Sequence, residues 1–145
     1  MMFYLDTSFL VPYFVSEESS EKVEAYMRGL EGEELFVSAW TATEFVSALG
    51  LKVRTKQLDK PAASAALAAF REVGERYFNW LAVSPGDFKF ASAYLERWDL
   101  GLRAGDALHL AVAKSNGVKK LLTLDQRMLK AGKALRIPVS TGIRV

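Results

Sequence analysis

The chain has no cysteine. Disulfides, thiolate metal sites and a cysteine nucleophile are therefore excluded. A single histidine, His109, excludes a zinc centre built on several imidazoles. No stretch is long and apolar enough to span a membrane. The first apolar run is cut short by Asp6 and has no basic leader before it, so no secretory signal is expected. An excess of one charge is also missing: 19 basic residues against 17 acidic ones leave +2. Such a balance permits a nucleic-acid partner without requiring one. A reducing, cytoplasmic setting fits these absences.

Half of the residues are hydrophobic, so a sizeable core is expected and disorder is not. The length suits one domain spanning 1–145. Met2-Phe3-Tyr4-Leu5 is a continuous apolar run, predicted as a strand buried on both faces. Ser8 is predicted to cap a short helix through Val15, with Pro12 in its first turn. Ser16 or Ser19 caps a helix to Gly29, and Leu35 to Ser38 forms a second strand. Ala39 to Lys56 is helical. The basic trio at its end, Lys52, Arg54 and Lys56, reads as a solvated face. A helix begins near Pro61 and runs to about Trp80, followed by a third strand, Leu81 to Val83. A helix to about Trp98 and a glycine-bearing loop lead to an apolar helix, Asp106 to Ser115. Lys120 to Leu124 is a fourth strand, Asp125 opens a helix to about Lys130, and Ile137 to Val139 is a fifth, edge-like strand. Alternating strands and helices indicate an α/β domain with a parallel sheet.

Four carboxylates stand in apolar surroundings or at strand ends: Asp6, Glu44, Asp106 and Asp125. Three of them also have a structural explanation. Asp106 and Asp125 have the position of helix caps, and Thr41 to Glu44 has the spacing of a capping box. Thr7, Ser8 and Thr123 are neighbouring hydroxyls that serve as turn residues or orient a site. Taken together, the four acids say more. In a parallel sheet all strand carboxyl ends lie on one edge, where ligands bind. Acids gathered there repel one another and raise their own pKa values. A hard divalent cation, Mg²⁺ or Mn²⁺, relieves this. Carboxylate-held metal is the usual apparatus for phosphodiester hydrolysis.

Tyr4-Leu5-Asp6-Thr7-Ser8, Thr43-Glu44-Phe45, Asp106-Ala107-Leu108-His109-Leu110-Ala111 and Leu122-Thr123-Leu124-Asp125 resemble, in order and spacing, the motifs of PIN-domain proteins, in particular VapC-type toxins. The resemblance implies a three-layer α/β/α sandwich around a mostly parallel sheet of four to five strands. It implies Asp6, Glu44 and Asp106 as an acidic metal-binding triad, with Asp125 as the fourth position. It further implies Mg²⁺- or Mn²⁺-dependent endoribonuclease activity on RNA, a homodimer, and a small antitoxin partner. Arg103 and Arg127 flank the acids and are candidates for positioning RNA, with a plain surface role as the alternative. His109 is expected in the core rather than as a general base.

Two other reactions that begin at a strand-end aspartate fit less well. A haloacid-dehalogenase-like phosphatase needs a second acid two positions after the first, where this chain has Ser8. A response-regulator receiver needs an acidic pair beside the phospho-acceptor, and no carboxylate adjoins Asp6. The remaining alternative is a non-catalytic RNA- or protein-binding module whose acids only cap helices.

Overall fold

The computed structural model describes residues 1–144. Five strands form one parallel sheet: β1 (Met2–Leu5), β2 (Glu34–Ser38), β3 (Phe78–Leu81), β4 (Lys120–Leu122) and β5 (Val139–Ser140), in the order β3-β2-β1-β4-β5. The order reverses between β1 and β4, which pair with Leu5 opposite Leu122. In an open α/β sheet this switch point is where a crevice opens beyond the strand ends.

Side chains along β1 alternate between two cores. Phe3 and Leu5 join Val37, Phe78 and Leu122 under helices α1 (Thr7–Phe14), α2 (Ser20–Gly29), α3 (Ala39–Arg54) and α4 (Lys60–Tyr77). Tyr4 joins Leu110, Val112, Leu121 and Met128 under α6 (Ala104–Ser115) and α7 (Gln126–Ala134). Helix α5 (Pro85–Leu95) packs on α6 through Ala91, Ala107 and Ala111. Helices thus cover both faces of the sheet, giving the three-layer α/β/α arrangement expected for a parallel sheet.

Several boundaries differ from the sequence reading. The cap of α1 is Asp6, not Ser8: Asp6 Oδ1 accepts from the Phe9 N–H at 3.1 Å. Pro12 consequently lies in the interior of α1 rather than its first turn. Helix α4 ends at Tyr77, and β3 comes three residues earlier than expected. Phe78, Asn79 and Trp80 pair with Leu35, Phe36 and Val37, so sheet pairing overrides helical periodicity. The Trp80 indole N–H donates to the Gly74 carbonyl at 3.0 Å and folds the chain back on α4. Helix α5 stops at Leu95, and a separate 3₁₀ turn covers Trp98–Leu100. Strand β4 is shorter than expected and α7 extends beyond Lys130 to Ala134. Pro138 stands just before β5, where it still accepts through its carbonyl from the Leu121 N–H at 2.8 Å.

Candidate active site

Asp6 leaves the carboxyl end of β1 and is almost wholly buried, at 3% exposure. Its carboxylate is held on both sides. Oδ1 accepts from the Ser8 hydroxyl at 2.8 Å, and Oδ2 accepts from the Thr123 hydroxyl at 2.8 Å. Thr123 also accepts from the Asp125 N–H at 3.1 Å, tying β1 to the end of β4. Burial pushes the Asp6 carboxyl up to about 6, although His109, the two hydroxyls and the Phe9 N–H oppose the shift.

Glu44 is not part of a capping box. The box at the start of α3 is Ser38 with Thr41, each side chain serving the other's backbone. Glu44 lies one turn further on and is free for other work. Its Oε1 accepts from the Thr7 hydroxyl at 2.8 Å and from His109 Nε2. Burial raises its pKa, but His109, Thr7 and Arg103 outweigh that and hold it below the ordinary value. His109 is buried, as the sequence suggests, yet it is not idle. Its Nδ1 bonds the Tyr4 hydroxyl at 2.7 Å, and Tyr4 in turn contacts Ser38 Oγ at 2.8 Å. A carboxylate partner fixes Nε2 as the protonated nitrogen. The chain Ser38–Tyr4–His109–Glu44 therefore anchors Glu44 through the core.

Asp106 is the third residue of α6, whose cap position is Arg103 with no side-chain capping bond. The capping reading of Asp106 thus falls. Its Oδ2 is buried and has no hydrogen-bond partner among the described residues; Arg103 Nε stands 3.6 Å away. Burial, Asp125 and Glu44 raise its pKa, against Arg103 and His109. Asp125 does cap a helix: Oδ1 accepts from the N–H groups of Arg127 and Met128. Its Oδ2 faces Arg103 Nη2 at 3.4 Å, so one guanidinium spans two of the acids.

All four carboxylates line a single open cavity of about 360 Å³, together with Thr7, Ser8 and Lys52. A second cavity of about 480 Å³ shares Thr7, Glu44, Arg103 and Asp106, and extends over Trp40, Leu51 and Arg54. Lys52 and Arg54, read from sequence as a solvated face, thus border the groove; Lys52 also pairs with Glu17. Arg127 is exposed on α7 and lines neither cavity. Among the described residues, no three carboxylates or imidazoles stand close enough to make a ready-made ligand set for one ion. The donor set nonetheless suits a hard cation. It is all carboxylate oxygen, two members are raised in pKa by burial, and one buried oxygen has no partner.

A parallel α/β sandwich with acids at its switch point defines a class of domain, and comparison narrows it. The PIN domain family matches residues 3–134. The chain belongs to the PIN domain family. No curated protein matches it significantly in sequence. Among solved structures, the chain is similar to VapC20 of Mycobacterium tuberculosis, a sarcin-ricin loop cleaving toxin. That match has a TM-score of 0.69 and 21% identity, covering 90% of this chain and 95% of that one. It is also similar to FitAcB from Neisseria gonorrhoeae (TM-score 0.69, 19% identity, 97% and 98% covered). A third is VapBC2 from Rickettsia felis, bound to a DNA fragment from its promoter (TM-score 0.70, 14% identity, 97% and 98% covered).

Proposed function

We propose that this protein is a divalent-metal-dependent endoribonuclease, the VapC-type toxin of a toxin–antitoxin pair. One observation carries the reading. Four carboxylates from four separate segments of the chain converge on one groove. Asp6, Glu44, Asp106 and Asp125 would hold Mg²⁺ or Mn²⁺. When bound, such a cation lowers the pKa of water and offsets charge growing on phosphate oxygens.

The residues around the acids do the rest. Ser8 and Thr123 fix the two oxygens of Asp6, while Thr7 and His109 fix one oxygen of Glu44. That leaves the other Glu44 oxygen and the buried Asp106 Oδ2 without a hydrogen-bond partner among the described residues. Arg103, two-thirds exposed, lies within reach of a phosphate drawn to the acids. His109 has both ring nitrogens engaged and is closed off from solvent, so it positions Glu44 and does not carry protons for the reaction. On this reading the protein acts in the cytoplasm as a homodimer silenced by a small cognate antitoxin; the likeness to VapC20, a toxin by its printed name, and to VapBC2 supports the toxin assignment. Among the described residues, no helix is long and apolar enough to cross a membrane.

A second reading has its own observation. Asp6 and Asp125 are genuine helix caps, and the acids do not preform a metal cage. On that reading the protein is a non-catalytic RNA- or protein-binding module. Cleavage of a mixed RNA by purified protein with Mg²⁺, Mn²⁺ or EDTA separates the two, comparing wild type with Asp6→Asn and Asp106→Asn. Cleavage by wild type alone, abolished by EDTA, is the expected outcome. Equal cleavage by all three proteins would indicate a contaminant, and folded proteins that bind no metal would establish the module.

A further inference from the structure

The larger cavity has a character that cation binding does not require. Beyond Glu44 and Asp106 its wall is Trp40, Ala48 and Leu51, with Arg54 and Arg103 at its sides. Leu51 is more than half exposed, and Trp40 is half-buried, with its indole N–H enclosed and without an acceptor among the described residues. Gly105 sets the position of the ring. A Cβ there would meet Glu44 Oε2 at 2.8 Å and Trp40 Cζ2 at 3.2 Å. The backbone of α6 therefore closes on both side chains and keeps the indole beside the carboxylate.

We infer that this cavity is a nucleotide subsite of the RNA groove, seating the base next to the phosphodiester held at the acids. The inference rests on the nuclease reading and deepens it. An aromatic ring with an apolar floor suits the face of a base, which stacks regardless of sequence. Two guanidiniums suit the phosphates on either side. Its volume lies within the range of small-ligand sites. The smaller cavity shares Glu44 and Asp106 and adds Lys52, but its lining among the described residues includes no aromatic, so a base finds its stacking surface only in the larger one. An acidic peptide would use the arginines but leave the indole and the apolar floor without a counterpart.

The test uses Trp40 as its own reporter, in a Trp80→Phe, Trp98→Phe protein shown by circular dichroism to be folded. Short single-stranded RNA is titrated in EDTA, so that binding is read without cleavage. The expected result is saturable quenching of Trp40 emission. By anisotropy of labelled RNA, affinity is expected to fall about tenfold in Trp40→Ala, with Trp40→Phe retaining most of it. Arg54→Ala should weaken binding several-fold for every homopolymer alike. If RNA binds by anisotropy while Trp40 emission is unchanged and Trp40→Ala matches wild type, the subsite is overturned and the nuclease reading stands. Quenching by an acidic peptide but not by RNA overturns it too. If wild type neither binds nor cleaves RNA, the nuclease reading fails and the subsite falls with it.

Discussion

Asp6 sits under three donors, and burial still wins, with a pKa of about 6 against an ordinary 3.8. The folded protein therefore holds this proton more tightly than the unfolded chain does. Between about pH 4 and pH 6 the folded state binds more protons, so stability falls as pH rises through that window. Above it the cost is fully present, and a shift of two units corresponds to at most about 3 kcal/mol. Asp6→Asn removes that cost while its amide can still accept from Phe9 and donate to Thr123. Urea unfolding in EDTA should show the variant more stable by about 1–3 kcal/mol near pH 7.5, with the gain gone near pH 3.5. A variant less stable at both pH values would mean that the cap hydrogen bonds outweigh the burial. Tyr4 argues the opposite case. Tyr4→Phe leaves His109 Nδ1 without its partner inside the core, and a loss of about 1–2 kcal/mol is expected. Titration with Mn²⁺ should also show weaker binding, because Glu44 loses the far end of its anchor.

Glycines decide how closely two of the elements approach. In α7, Gly132 faces β5, and a Cβ at that position would collide with the Val139 side chain. Gly132→Ala should cost about 1–3 kcal/mol by overpacking despite the gain in helix propensity, and Val139→Ala should restore part of it in the double variant. Gly105→Ala acts at the site instead. It should reduce RNA cleavage at least tenfold by displacing Glu44, with a thermal midpoint little changed, as measured by calorimetry beside a cleavage assay. Neither glycine is marked in the sequence, because a close approach between distant segments has no local signature. Patterns with a local cause were legible. The apolar run before Asp6 gave β1, Asn116-Gly117 closed α6, and the strand-end position gave Asp125 its capping role. The spacing of Glu44 and Asp106 also allows caps; tertiary contacts with Thr7, His109 and Arg103 take precedence. The roles of His109 and Tyr4 were out of reach because each is an ordinary core residue until the other is seen opposite it. The end of α4 was misplaced for the same reason, since only pairing with β2 makes Phe78 to Trp80 a strand.

At the scale of the molecule, a net charge of +2 supplies little long-range pull on RNA, so attraction rests on where the cations stand. Lys52, Arg54 and Arg103 border the acidic groove. Three phosphate contacts correspond to a slope of about −2 for log affinity against log salt with a single strand. RNA binding measured by anisotropy in EDTA from low to high salt is expected to give that slope, and a flat line would mean that no phosphate is engaged. The order of the strands has a consequence in time as well. β1 sits at the middle of the sheet, yet one of its two neighbours, β4, is made from residues 120–122. At ordinary rates of synthesis β4 follows β1 by on the order of ten seconds. Until then Asp6 has no Thr123 to hold it and no Asp125 beside it. On the nuclease reading proposed above, a nascent chain would therefore lack two of the site's residues, Thr123 and Asp125, until residues 123–125 have been made.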